Sequence, residues 1–263
     1  AWDDAARYVD RKWEYAEAAA SRVRAGFARL LWDAEGDIAL AASTHDLLVR
    51  FLSALPLRAR PRLVTTDGEF HSARRQLARL GEEGIEIVRV PTARADEIAP
   101  RLAAALDART AAVLVSAVLY ADARIVPGLG ELARACEQTG VPLVVDAYHA
   151  LNVLPFGLAE QELGSAYVVG GGYKYCQLGE GCCFLRTPPG CELRPVVTGW
   201  FAEAALLEVE PAPGRVAYAA GPLRFAGATY DPSSHYRAAD VFDFFSARGL
   251  SPGLLREVSQ HQV

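Results

Sequence analysis

The sequence predicts an α/β protein whose core is a mostly parallel β-sheet covered by helices on both faces. Two observations predict it. Short runs rich in Val, Leu and Ile, such as 112–116 and 141–146, stay apolar almost throughout instead of alternating, as strands buried on both faces do. Helical segments separate those runs in regular succession, which is how parallel strands are connected.

Taken in order, residues 8–31 read as a helix rich in Ala, Arg and Glu, with apolar residues three or four apart. Residues 38–44 read as a short apolar strand or turn. Its Ser43-Thr44 pair caps a helix running through Leu47, Leu48, Phe51 and Leu52. Residues 62–66 are β-like, 72–80 helical, 85–90 a strand and 95–106 a helix. The strand 112–116 follows, then a helix over 129–139 closed by Gly140. Residues 141–146 and 165–170 are further strands. The Pro- and Gly-rich stretch 188–222 reads as an ordered excursion, and 237–247 and 254–260 as helices. The domain reading is a helical arm over 1–34, a large domain over 35–236, and the helical start of a C-terminal domain over 237–263.

Composition narrows the function classes. Apolar residues make up 51% and charged residues 22% of the 263, the balance of a globular protein. A net charge of -5 gives no reason to expect nucleic acid, and no apolar run is long enough to span a membrane. No secretion signal is recognisable at the start. Four of the five cysteines fall between Cys176 and Cys191, with no CxxC pair and no His among them. That spacing argues against zinc and for buried thiols of a cytoplasmic protein.

The chemistry is expected where strands end, because ligands of open α/β sheets collect beyond the carboxyl ends. Asp146 ends one apolar strand, and a carboxylate at that edge needs a cationic or hydrogen-bonding partner. Lys174 follows the next strand after a glycine run, on the same expected rim. A lysine against apolar walls has a lowered pKa and can form an imine. An aspartate can keep a pyridine nitrogen protonated, which makes the ring an electron sink. Together these are the demands of pyridoxal phosphate (PLP) chemistry, although an ordinary surface lysine reads the same way at this level.

The surrounding residues are more specific. Asp146-Ala-Tyr-His149, then Gly172-Tyr173-Lys174-Tyr175, then Gly179-Glu-Gly181 resemble the kynureninase branch of the class V, fold type I PLP family. Ala42-Ser-Thr-His45 is similar to that family's phosphate-binding turn before a helix. Glu69-Phe-His-Ser72 resembles its ring-stacking segment, and Thr198-Gly-Trp-Phe201 one that brings a Trp to the phosphate. The segment 224–230 resembles a Gly-Thr stretch that reaches the phosphate from a partner subunit. The matches keep the family's order over roughly residues 35–250.

The resemblance implies a mostly parallel seven-stranded sheet, PLP as cofactor, a small amino-acid substrate and a homodimer with shared sites. It implies Lys174 as the Schiff-base lysine and proton carrier at the substrate's Cα, and Asp146 as the partner of the pyridine nitrogen. Phe70 would stack on the ring, and His149 would lie near the ring hydroxyl or the substrate carboxylate. Ser43, Thr44, Tyr173, Trp200 and Thr229 would hold the phosphate, and Tyr120 would line the pocket. No metal is implied. The implied reaction is kynureninase-like hydrolysis of a Cβ–Cγ bond with release of alanine. A class V aminotransferase is the second reading and a desulfurase or selenocysteine lyase the third, for want of a suitably placed Cys; a non-catalytic member is the alternative from a different class.

The chain departs from the pattern at His149-Ala-Leu-Asn152, at Cys176-Gln-Leu-Gly-Glu-Gly181 and at Phe70-His-Ser-Ala73. Those changes bear on the substrate more than on the cofactor. The family's C-terminal small domain carries an arginine for the substrate carboxylate and is expected to be absent or incomplete here.

Overall fold

Seven strands form one sheet in the order β1-β7-β6-β5-β4-β2-β3. They are β1 (Asp37–Ala41), β2 (Arg62–Thr66), β3 (Glu86–Val90), β4 (Thr110–Ser116), β5 (Leu143–Asp146), β6 (Tyr167–Gly171) and β7 (Cys183–Thr187). All neighbours pair in parallel except that β7 runs antiparallel to both β6 and β1. The expected seven-stranded, mostly parallel sheet is therefore present. This computed structural model describes residues 1–33, 36–206 and 214–262. The arm boundary at 34–35, part of the 188–222 excursion and Val263 lie outside the described residues.

Period-two alternation divides the sheet residues between two cores. Val64, Val113, Val115, Val145 and Val168 join one cluster with residues of the helices α2 (Lys12–Leu31), α5 (Ala95–Ala104), α6 (Leu129–Thr139) and α7 (Ser233–Ala247). Leu63, Leu114, Val144 and Val169 join the other, with α3 (Thr44–Ser53) and α4 (His71–Glu82). Every residue of β4 is buried, which is why its sequence is apolar without alternation.

The expected arm enters the core through α2, where Phe27 meets Phe184 at 4.4 Å and Phe242 at 5.3 Å between ring centroids. Gly26 lets α7 approach, since a Cβ there would lie 2.3 Å from the Phe242 ring. The expected boundary at 236/237 falls inside α7. A short helix α1 (Trp2–Arg7) precedes α2, and α8 (Pro252–His261) follows α7. In the excursion, 3-10 turns cover Trp200–Leu206 and Gly221–Phe225. No described helix is long and apolar enough to cross a membrane.

Candidate active site

The carboxyl ends of β2, β4, β5 and β6 lie along one rim of the sheet. Ser116 of β4 is in register with Asp146 of β5, and Asp146 with Val169 of β6. Lys174 follows three residues after β6 ends at Gly171. The two residues that the sequence pairs therefore share a rim.

Glycine makes the path to Lys174 possible. A Cβ at Gly171 would come within 2.5 Å of Cys183 Sγ and 2.6 Å of the Tyr148 ring. Beyond it, Gly172 N donates to Cys182 O at 2.9 Å and Leu178 N to Gly172 O at 2.8 Å, closing the loop that carries Lys174. Lys174 Nζ lies 2.7 Å from His149 Nε2. The rings of Tyr148, Phe70 and Tyr173 surround the amine, with centroids at 4.8, 5.1 and 5.7 Å.

These surroundings set the protonation states. Burial lowers the pKa of Lys174, and the charge of Asp146 offsets part of that effect. His149 is lowered as well, first by burial and then by the lysine charge, so a neutral imidazole faces the amine. Burial pushes Asp146 up to about 6, against the pull of the Tyr148 amide and Lys174. The Tyr148 N–H donates to Asp146 Oδ1 at 2.9 Å.

A cavity of about 270 Å³ opens beside this cluster. Ser43, Thr44, Phe70, Asp146, His149, Tyr173 and Lys174 all line it. Its volume is close to the lower end of small-molecule pockets, about 300 Å³. The Ser43 hydroxyl accepts from Asp46 N at 3.1 Å and caps α3, as its sequence position predicts.

Trp200 and Thr229 are not brought to this cavity within the chain. Trp200 Nε1 donates to Thr229 Oγ at 3.3 Å, and both residues are exposed. Thr229 instead borders a larger neighbouring cavity of about 560 Å³, next to Arg24, Arg50, His235 and Arg237. Size alone does not make that one the reactive site. Arg24 pairs with Glu17, and Arg237 is spent on the carbonyls of Leu178 and Glu180. Among the described residues, no lysine borders it. Tyr120, expected to line the pocket, is not among the residues lining the smaller cavity; it packs edge-on against Phe70, 5.4 Å away between centroids.

Sequence reasoning missed three contributors. Tyr148 walls the amine. Cys183 opens β7 and lines the cavity, its thiol pushed up to about 11 by burial. Glu69 lies buried beneath the rim, and burial raises it to about 7. The run Cys182-Cys-Phe-Leu-Arg-Thr187 after a Gly turn was the available signal for β7. Among the described residues, no group of three or more His, Cys, Asp or Glu could hold a metal ion.

No protein-family model and no curated protein matches the sequence. Solved structures do resemble it. A mutant of C-DES with glycine covalently linked to its PLP cofactor superposes with a TM-score of 0.77 at 19% identity, covering 93% of this chain and 64% of that one. C-DES, a cystine C–S lyase, in complex with its product cysteine persulfide gives 0.74 at 19% identity, with coverage of 93% and 65%. The apo cysteine desulfurase from Thermococcus onnurineus gives 0.68 at 17% identity, with coverage of 91% and 59%. This chain thus spans about two thirds of the length of C-DES or less. It has the α/β fold shared by C-DES and the cysteine desulfurase.

Proposed function

We propose that the chain is the cofactor-carrying part of a PLP-dependent enzyme acting on an amino acid, with Lys174 as the point of covalent attachment. One observation carries this reading: a half-buried lysine and a half-buried aspartate face the same aromatic-walled cavity from adjacent strand ends. The residues present fit the cofactor's demands. Asp146 offers an anion for a ring nitrogen, Phe70 a flat apolar wall, and the start of α3 a dipole suited to a phosphate.

Bound PLP supplies an electron-accepting ring that stabilises negative charge developing on the substrate. Every other role falls to the protein. Lys174 carries the proton to and from the substrate's Cα, and its lowered pKa makes the neutral amine accessible. Asp146 keeps the ring nitrogen protonated, because an anion in a desolvated site holds a nearby proton strongly. Phe70, Tyr148 and Tyr173 put aromatic faces around the amine and shield part of it from water. His149 shares a hydrogen bond with Lys174 and orients it. Trp200 and Thr229, exposed and away from their own chain's cavity, suit residues that complete a partner's site, so a homodimer is part of the proposal.

Two reactions have support within this reading. The Asp146-x-x-His149 and Tyr173-Lys174-Tyr175 pattern favours kynureninase-like hydrolysis with release of alanine. The likeness to C-DES favours C–S cleavage of a sulfur amino acid. Cys183 is a poor candidate for a sulfur-accepting nucleophile, because burial keeps its thiol protonated. Incubation with kynurenine, with cystine, and with an amino acid plus a keto acid separates hydrolysis, C–S cleavage and amino transfer. Adding PLP and recording absorbance near 420 nm, roughly where a protonated imine of this cofactor absorbs, tests the shared claim. The band is expected in the unmodified chain and absent in Lys174→Ala. Its absence from both refutes the reading.

A further inference from the structure

We infer that Glu69 is a positioning residue that fixes the Phe70 ring at the wall of the Lys174 cavity. This rests on the proposal that the cavity holds PLP. Glu69 is 2% exposed, and three hydrogen bonds hold its carboxylate. Oε1 accepts from Thr66 Oγ at 2.6 Å and from Ser116 N at 3.2 Å, while Oε2 accepts from Ser116 Oγ at 2.6 Å. One side chain thereby ties the end of β2 to the end of β4.

Phe70 is the next residue in the chain, and α4 begins immediately after it. The approach to Phe70 is anchored step by step. Gly68 N donates to Thr66 Oγ at 3.2 Å, Asp67 N to Val90 O at 3.0 Å, and Thr92 N to Asp67 Oδ1 at 2.9 Å. The ring itself is only loosely confined. It is 36% exposed, with Tyr120 and His71 as its aromatic neighbours at 5.4 and 5.5 Å. Its direction therefore depends on backbone that Glu69 secures from below.

Among the described residues, no cation lies within 4.0 Å of Glu69, so its burial carries a desolvation cost that an apolar side chain would avoid. A fully hydrogen-bonded polar group in that position stabilises less than apolar packing would, but it selects one geometry. That is the signature of positioning.

A double-mutant cycle on the full chain tests the inference, with the PLP dissociation constant read by spectroscopic titration. Glu69→Ala is expected to weaken PLP binding about tenfold, the effect of losing a buried hydrogen-bond anchor. Phe70→Ala should weaken it comparably, and the double variant should be no worse than Phe70→Ala alone. Glu69→Gln, which can keep the three contacts, should stay within about threefold of the unmodified chain. Additive losses in the double variant, or no loss in Glu69→Ala, overturn the inference. If Glu69→Ala does not fold, Ser116→Ala, which removes the contact to Oε2, takes its place in the cycle. If the unmodified chain binds no PLP, the functional proposal has failed on its own. Hydrogen exchange then decides the positioning role. Faster exchange at 67–71 in Glu69→Ala but not in Glu69→Gln supports it, and unchanged exchange overturns it.

Discussion

The two rims of the sheet handle charge in opposite ways. At the amino-terminal rim, charges are matched. Arg62, at the start of β2, reaches Asp107 at 2.7 Å and the Ala105 carbonyl at 2.8 Å. Arg186, only 2% exposed, donates to Asp33 at 2.6 Å and to the carbonyls of Gly164 and Ala166 at 2.8 Å each. At the carboxyl rim, Asp146, Glu69 and Lys174 form no ion pair within 4.0 Å among the described residues, although all three are desolvated. The charges at the first rim meet opposite charges and carbonyls and so serve the fold. Those at the second keep perturbed protonation states, Glu69 within protein hydrogen bonds and Asp146 and Lys174 at the cavity wall, the pattern of a binding site.

Substitutions at the two rims should break apart into different phenotypes. Arg186→Ala removes a buried guanidinium that meets Asp33 and two backbone carbonyls, so it is expected to lower unfolding free energy by about 3–5 kcal/mol. Denaturant titration would reveal this, while PLP binding at low temperature should persist in the molecules that fold. Asp146→Asn, at the other rim, should leave the unfolding midpoint nearly unchanged and weaken PLP binding by about 100-fold. If Asp146→Asn instead unfolds the chain and Arg186→Ala abolishes only binding, the contrast between the rims is wrong.

A smaller effect follows from Glu69. Burial raises its carboxyl from 4.5 to about 7 in the folded chain. Between those values the folded state keeps a proton that the unfolded state has lost. Its contribution to stability is therefore complete below about pH 4.5 and disappears as pH rises through 7. Lowered carboxylates elsewhere, such as Asp107, act in the reverse direction. The difference between the unmodified chain and Glu69→Gln isolates this one group, and should amount to roughly 2 kcal/mol between pH 5 and 7.5. Identical pH slopes would mean that Glu69 ionises normally. Arg79→Ala gives the lower bound. Its pairs with Glu82 and Glu83 lie on the exposed side of α4, and no change in midpoint is expected.

Much of this arrangement was legible in the sequence because periodicity and strand-end chemistry are local signals. Strand β2 and helix α6 match their expected limits, with Gly140 in the left-handed conformation that closes α6. Asp146 and Lys174 could be paired because a strand end fixes where its last side chain lies. Strand β7 was less visible. It is antiparallel, follows a Gly-rich loop and carries a buried arginine, which disguises a strand as a surface segment. Cys183 and Tyr148 went unassigned for the same reason, since a cavity floor is set by which strands become neighbours. Glu69 was hidden differently. Its partners Thr66 and Ser116 lie 3 and 47 residues away, a long-range bridge that no local pattern encodes. Trp200 and Thr229 lie outside the Lys174 cavity, a placement set by the tertiary course of the excursion that no local pattern encodes.

The central claim concerns one amine, and the chain permits a clean test because it has only two lysines, Lys12 and Lys174. The protein is mixed with PLP, reduced with borohydride and digested, and the peptides are mapped by mass. A pyridoxyl group on Lys174 at about one per chain, with Lys12 unlabelled, is the predicted result. Equal labelling of both lysines, or labelling of neither, contradicts the account.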